Sequence, residues 1–203
     1  MNNFLDKIKS FFKSNSEVIT PTAVLAIICV VVTLALSSAN LLTEKKIEQL
    51  KIESQNAAMA KLMEGEYTEA TQKIGDEEIT YHIVEKDGNK IGYIFITSAK
   101  GYGGEIQIMT AVNPDVSVAA VEILDASGET PGLGQNVTKP DWYSQFTKLI
   151  KGITVVKGGT ANAENNEINA VTGATISSKA VTTAVNQALD YATEIVVKGD
   201  ELK

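Results

Sequence analysis

The stretch Asn169-Ala170-Val171-Thr172-Gly173-Ala174-Thr175-Ile176-Ser177-Ser178 sets hydroxyl side chains in a run of small residues leading into an apolar-periodic segment. A hydroxyl at such a loop-to-helix junction lies among unpaired backbone N–H groups at the positive end of the helix dipole, which together stabilise a phosphate. Gly173 and Ala174 leave room for a bulky group. Two readings fit these residues: an ordinary Ser or Thr N-cap, and a phosphate held at the junction. A nucleotide P-loop does not fit, because Gly173 is followed by Ser178-Lys179 where that motif needs Gly-Lys-Ser/Thr.

Two other segments combine glycine with polar or aromatic side chains: Gly101-Tyr102-Gly103-Gly104, and Glu129-Thr130-Pro131-Gly132-Leu133-Gly134. Glycine serves where backbone approaches a ligand closely. Glu129 reads either as a ligand-binding carboxylate or as a solvated loop residue, and Tyr102 as a ring-packing or a turn aromatic. Lys139 and Lys179 are candidates to offset a phosphate charge, although lone lysines are usually solvated. Trp142 reads as a core plug. His82, on the strand face opposite Tyr81 and Ile83, reads as exposed and without chemistry.

Composition narrows the choice further. The net charge is -7, and after three Lys in residues 1–42 the rest carries fifteen Lys against twenty-three acids, with no Arg anywhere. Nucleic acid is excluded as a partner on that balance. With Cys29 and His82 each the only residue of its type, no intrachain disulfide can form, and a zinc site, an iron–sulfur cluster or a histidine-ligated haem lacks ligands from this chain. Redox chemistry in this chain therefore needs an organic cofactor.

The elements that must position these residues follow from periodicity. Residues 78–85, 90–98, 105–112 and 116–124 alternate or are β-branched, and read as strands joined by turns at Asp87-Gly88-Asn89 and Asn113-Pro114-Asp115. Residues 141–150 read as a short helix and 177–197 as a helix with Val181, Val185, Leu189 and Ile195 on one face. The fold class expected is α+β: an antiparallel-rich sheet packed against helices, preceded by one transmembrane helix and a helical stalk. The 26 residues 18–43 carry no formal charge, more than the roughly 20 a bilayer-crossing helix needs. A cleaved signal peptide is the rival reading, with Ser37-Ser38-Ala39 as its cleavage site. Lysines flank both ends evenly, and a short leading segment favours a cytoplasmic N-terminus and an outward-facing domain. The organisation expected is a cytoplasmic segment 1–17, a span 18–43, a stalk 44–66 and a soluble domain 67–203.

Taken with the N-terminal span and stalk, the order of the three loops resembles the G subunit of the Rnf electron-transport complex, an FMN-binding domain family related to the C subunit of the sodium-pumping NADH:quinone reductase. Thr172-Gly173-Ala174-Thr175-Ile176-Ser177 matches that family's attachment motif position by position. The resemblance implies FMN joined through its phosphate to Thr175, attached by a dedicated flavin transferase. It implies a cofactor site of Thr175, Thr172, Gly173, Ala174, Ser177, Tyr102, Gly103, Gly104, Glu129, Thr130 and Leu133. It further implies an electron relay in a membrane-bound ferredoxin:NAD oxidoreductase coupled to ion export, with other subunits and membrane lipid as partners and no turnover by this chain alone. The alternatives are the quinone-reductase C subunit and a flavin-free, membrane-anchored binding or scaffold domain. The family often has Asp three positions before the first motif Thr, and this chain has Asn169.

Overall fold

Alternating apolar residues and tight turns build an antiparallel meander from the middle of the chain. The computed structural model describes residues 16–201. A long helix α1 (Ser16–Leu62) comes first, then β1 (Glu66–Ile74), β2 (Glu77–Lys86), β3 (Asn89–Lys100), β4 (Glu105–Val112) and β5 (Val118–Asp125), paired in that order into one five-stranded sheet. A 3-10 turn (Gly134–Thr138) and a short helix α2 (Pro140–Tyr143) follow. Two short strands, β6 (Thr154–Val156) and β7 (Glu167–Asn169), pair in parallel before the final helix α3 (Thr175–Glu201). The turn between β2 and β3 has Asp87 and Gly88 at φ 53° and 74°, the left-handed pair that a two-residue hairpin requires.

Both faces of the sheet are covered. On one, Phe95, Ile106 and Ile108 pack with Val181, Val185 and Leu189 of α3, all 0–1% exposed. On the other, Val84, Ile94, Met109 and Ala111 pack against Ala58 and Met59 near the end of α1. Each fully buried aliphatic side chain contributes about 1.5–3 kcal/mol. Two-sided burial changes one expectation: His82 is half-buried rather than exposed, because its face of β2 lies under apolar cover.

Three further differences have local causes. β1, with its polar sequence Glu-Tyr-Thr-Glu-Ala-Thr-Gln-Lys-Ile, adds a fifth strand at the sheet edge, where only half-burial is needed. Val116 turns at φ 62° before β5 instead of opening it. The expected helix at 141–150 is α2 plus a 3-10 turn (Ser144–Phe146), because Lys148 and Leu149 exchange backbone hydrogen bonds with Val118.

The chain divides into compact units Met1–Ile52 and Glu53–Lys203. In the first, α1 is long and apolar enough to cross a membrane, with Val24, Leu25, Ile27, Ile28 and Leu34 all about half exposed or more. Thr33 and Ser38 donate their hydroxyls to Cys29 O and Leu34 O, both at 2.7 Å. Such back-bonding removes the free donors that hydrocarbon would penalise.

Candidate functional site

The three loops singled out in the sequence converge on one cleft of about 490 Å³. Tyr102, Glu129, Thr130, Leu133, Gly173, Ala174, Thr175 and Ser177 line it. Thr172, Gly103 and Gly104 do not. Gly134, Lys157 and Ile176 also line it and were not anticipated.

Glu129 fastens the loops together. It is 2% exposed, and its Oε1 accepts the Gly103 amide at 2.9 Å and the Gly104 amide at 3.4 Å. Its Oε2 accepts the Ser177 hydroxyl, at the first turn of α3. Burial pushes the carboxyl up, but the hydrogen bonds from Ser177, Gly103, Gly104 and Tyr102 together outweigh it and hold the group below the usual carboxylate range. Glu129 is thus not a solvated loop residue: both its oxygens accept hydrogen bonds within the protein while the side chain lines the cleft.

The same contacts explain the glycines. A Cβ on Gly103 would overlap the Gly128 carbonyl, and one on Gly134 would overlap the Glu129 carboxylate. Gly103 and Gly104 therefore let the Gly128 backbone approach closely. Gly173 has φ +78°, which favours glycine, and a Cβ there would lie 3.1 Å from Leu133 Cδ2.

At the start of α3 the Ser178 amide donates to Ala174 O at 3.0 Å, making Ala174 the N-cap. Alanine has no capping oxygen, so the expected Ser or Thr cap is absent at that position. Ser178 instead bridges the loop, accepting the Val171 amide and donating to Ala174 O, both at 2.9 Å. Among the described residues, no protein acceptor takes the amides of Thr175, Ile176 and Ser177, and no protein group bonds the Thr175 hydroxyl. Half-buried Thr175 thus presents its hydroxyl at a helix start that favours an anion.

The small sheet positions the rest. Val156 of β6 and Asn169 of β7 are partners in a parallel register, so the residues that follow them leave at the same end. That brings Lys157 beside the loop carrying Thr175. Lys139 and Lys179 are not part of the lining. Trp142 is buried against Phe146, and its Nε1 donates to Asn169 O at 2.7 Å. The Asn169 side chain accepts the Ala161 amide at 3.1 Å and donates to Gln145 Oε1 at 3.2 Å, so it uses both ends of its amide. An ionised Asp has no donor for Gln145 Oε1, so Gln145 would have to flip and donate its own amide instead.

The cleft suits a group with an anionic end and a flat apolar body. Its volume falls within the roughly 300–1,000 Å³ of small-molecule sites. The unclaimed amides of α3 and the Lys157 ammonium serve the anion, and exposed Tyr102, Leu133 and Ile176 form an apolar rim.

Residues 101–190 match the FMN-binding domain family. The G subunit of the proton-translocating ferredoxin:NAD(+) oxidoreductase complex of Clostridium ljungdahlii is 32% identical over 182 residues, covering 89% of this chain and 95% of that protein. The G subunit of the Na(+)-translocating complex of Acetobacterium woodii is 33% identical over 182 residues, covering 82% and 87%. The fold is similar to the crystal structure of Shewanella oneidensis NqrC, with TM-score 0.50 and 27% identity over 59% of this chain and 62% of that one. It is also similar in fold to the C subunit of the Na(+)-translocating NADH-quinone reductase of Parabacteroides distasonis, with TM-score 0.51, 24% identity and coverage of 59% and 63%.

Proposed function

Because this chain belongs to the G-subunit family of ion-translocating ferredoxin:NAD(+) oxidoreductase complexes, we propose that it relays electrons through one FMN joined by its phosphate to the hydroxyl of Thr175. The chain is an electron-transfer subunit of a membrane-bound complex and works beside other subunits. What carries the covalent reading is Thr175 itself: its unpartnered hydroxyl faces a cleft at an uncapped helix start, inside the matching motif.

Bound flavin supplies reversible electron uptake and release. The chain's residues do the holding. The α3 amides and Lys157 stabilise the phosphate charge, and the ester link prevents loss of the cofactor. Tyr102, Leu133 and Ile176, exposed at the cleft, would offer apolar contact to the ring. The Glu129 clasp fixes the loop spacing, so the ring's surroundings do not reorganise as its charge changes.

The maturing enzyme is a flavin transferase that takes Thr175 as acceptor, and α1 anchors the chain in lipid with residues 67–203 on the extracytoplasmic side. Coupling to ion export belongs to the assembled translocase, and this chain alone does not turn over ferredoxin or NAD. The quinone-reductase C subunit shares the fold, and G subunits supply the high-coverage relatives.

Denaturing electrophoresis under ultraviolet light tests the attachment, with the chain made beside its own transferase. A fluorescent band is expected for the native chain and none for Thr175→Ala. Intact mass should exceed the chain by one FMN less one water. A dark native band, or a Thr175→Ala band equally bright, would leave a flavin-free scaffold or another attachment residue.

A further inference from the structure

The five-stranded sheet is split at one place. β2 pairs with β1 along nearly its whole length, from Glu77 to Glu85, and β3 pairs with β4 from Tyr93 to Lys100. Between themselves, β2 and β3 pair only from Tyr81↔Phe95 back to their turn. Beyond that rung the ribbons β1–β2 and β3–β4 part, and a cleft of about 560 Å³ opens between them.

The phase of the two ladders shows what faces this fork. Gly101 N donates to Gly104 O at 2.7 Å, making 101–104 a hydrogen-bonded pair of the β3–β4 hairpin. Because such pairs alternate along an antiparallel ladder, Thr97 and Ala99 direct their backbone groups to β4, and Ile96 and Ser98 direct theirs toward β2. On β2, the two-residue turn after Ile74 makes Ile74↔Glu77 the closing hydrogen-bonded pair. Glu78 and Thr80 therefore direct their N–H and C=O groups toward β3. All four residues line the cleft.

Two facing rows of strand backbone, each lacking its neighbour, form a template for an added strand. Waters, at about 30 Å³ each, can occupy the space, but only a strand satisfies both rows with the periodicity they already have. Glu69 and Glu78 add carboxylates to the lining, and no lysine lines it. We propose that the β2–β3 fork receives an extended, Lys- or Arg-bearing segment of a neighbouring subunit of the complex, which completes the sheet from within. The inserted strand runs parallel to one neighbour and antiparallel to the other, a mixed arrangement common in larger sheets.

The test is photocrosslinking in the assembled complex in its own membrane, with benzoylphenylalanine replacing Thr80 in the fork or Lys73 on the outer edge strand. We expect ultraviolet light to join position 80, and not position 73, to another subunit, with the adduct mapping to an extended basic stretch. The pair Glu69→Lys and Glu78→Lys should lower that yield roughly tenfold at low salt, with the amount of chain in the membrane unchanged. Adducts confined to this chain or to a second copy of it, no adduct above that of position 73, or a yield indifferent to charge reversal would each overturn the proposal. The readout is independent of flavin, so it is distinguishable from failure at Thr175.

Discussion

Glu129 is buried at 2% exposure and accepts hydrogen bonds from Gly103, Gly104 and Ser177. Replacing it with Gln keeps the shape but loses the charge that strengthens those bonds, and Glu129→Gln should cost about 1–3 kcal/mol at neutral pH. The sign of its pH dependence follows from the folded carboxyl lying below its unfolded value. Its stabilisation is complete above the ordinary carboxylate range and is lost as pH falls through the depressed folded value. Urea denaturation of the native chain in detergent from pH 7 to pH ~3 should therefore show an acid-side loss that Glu129→Gln reduces; equal acid slopes would remove the clasp from the account.

Between elements, the hairpin corner of β3–β4 meets the loop after β5 with backbone against backbone. Gly103→Ala must displace the Gly128 carbonyl, which cannot rotate away like a side chain, so overpacking should cost about 1–3 kcal/mol. Gly88→Ala meets open space at φ +74° and should cost only about 1 kcal/mol for the backbone. Comparing both by thermal denaturation checks the ranking, which a Gly103→Ala no worse than Gly88→Ala would contradict. The central strands were legible because Tyr81, Ile83, Phe95 and Ile108 alternate at strand period over long runs. β1 was not, since at the outer edge only Tyr67, Ala70, Gln72 and Ile74 are half-buried and none is fully buried. The Thr172–Ser177 loop could be read because its chemistry is local in sequence. Lys157 could not, because three-residue strands leave no periodic signal and only the parallel register of β6 and β7 brings it to the cleft.

On the scale of the whole chain, the side of the membrane that the sheet occupies can be measured directly. Cys29 is the sole cysteine, so Cys29→Ala provides a silent background in which Asp76→Cys, in the exposed β1–β2 turn, can be labelled. A membrane-impermeant maleimide should modify that thiol in intact cells if residues 67–203 face outward. Labelling only after lysis would reverse the orientation.

The Glu129 clasp joins positions 26 and 48 residues apart. During synthesis the earlier domain segments emerge first, and the clasp cannot form until residue 177 has left the ribosome and α3 has docked. Thr175 and the walls around it thus come together almost simultaneously. Any FMN joined to Thr175 as proposed would therefore meet its complete surroundings only after translation, on a folded domain rather than on a nascent thread.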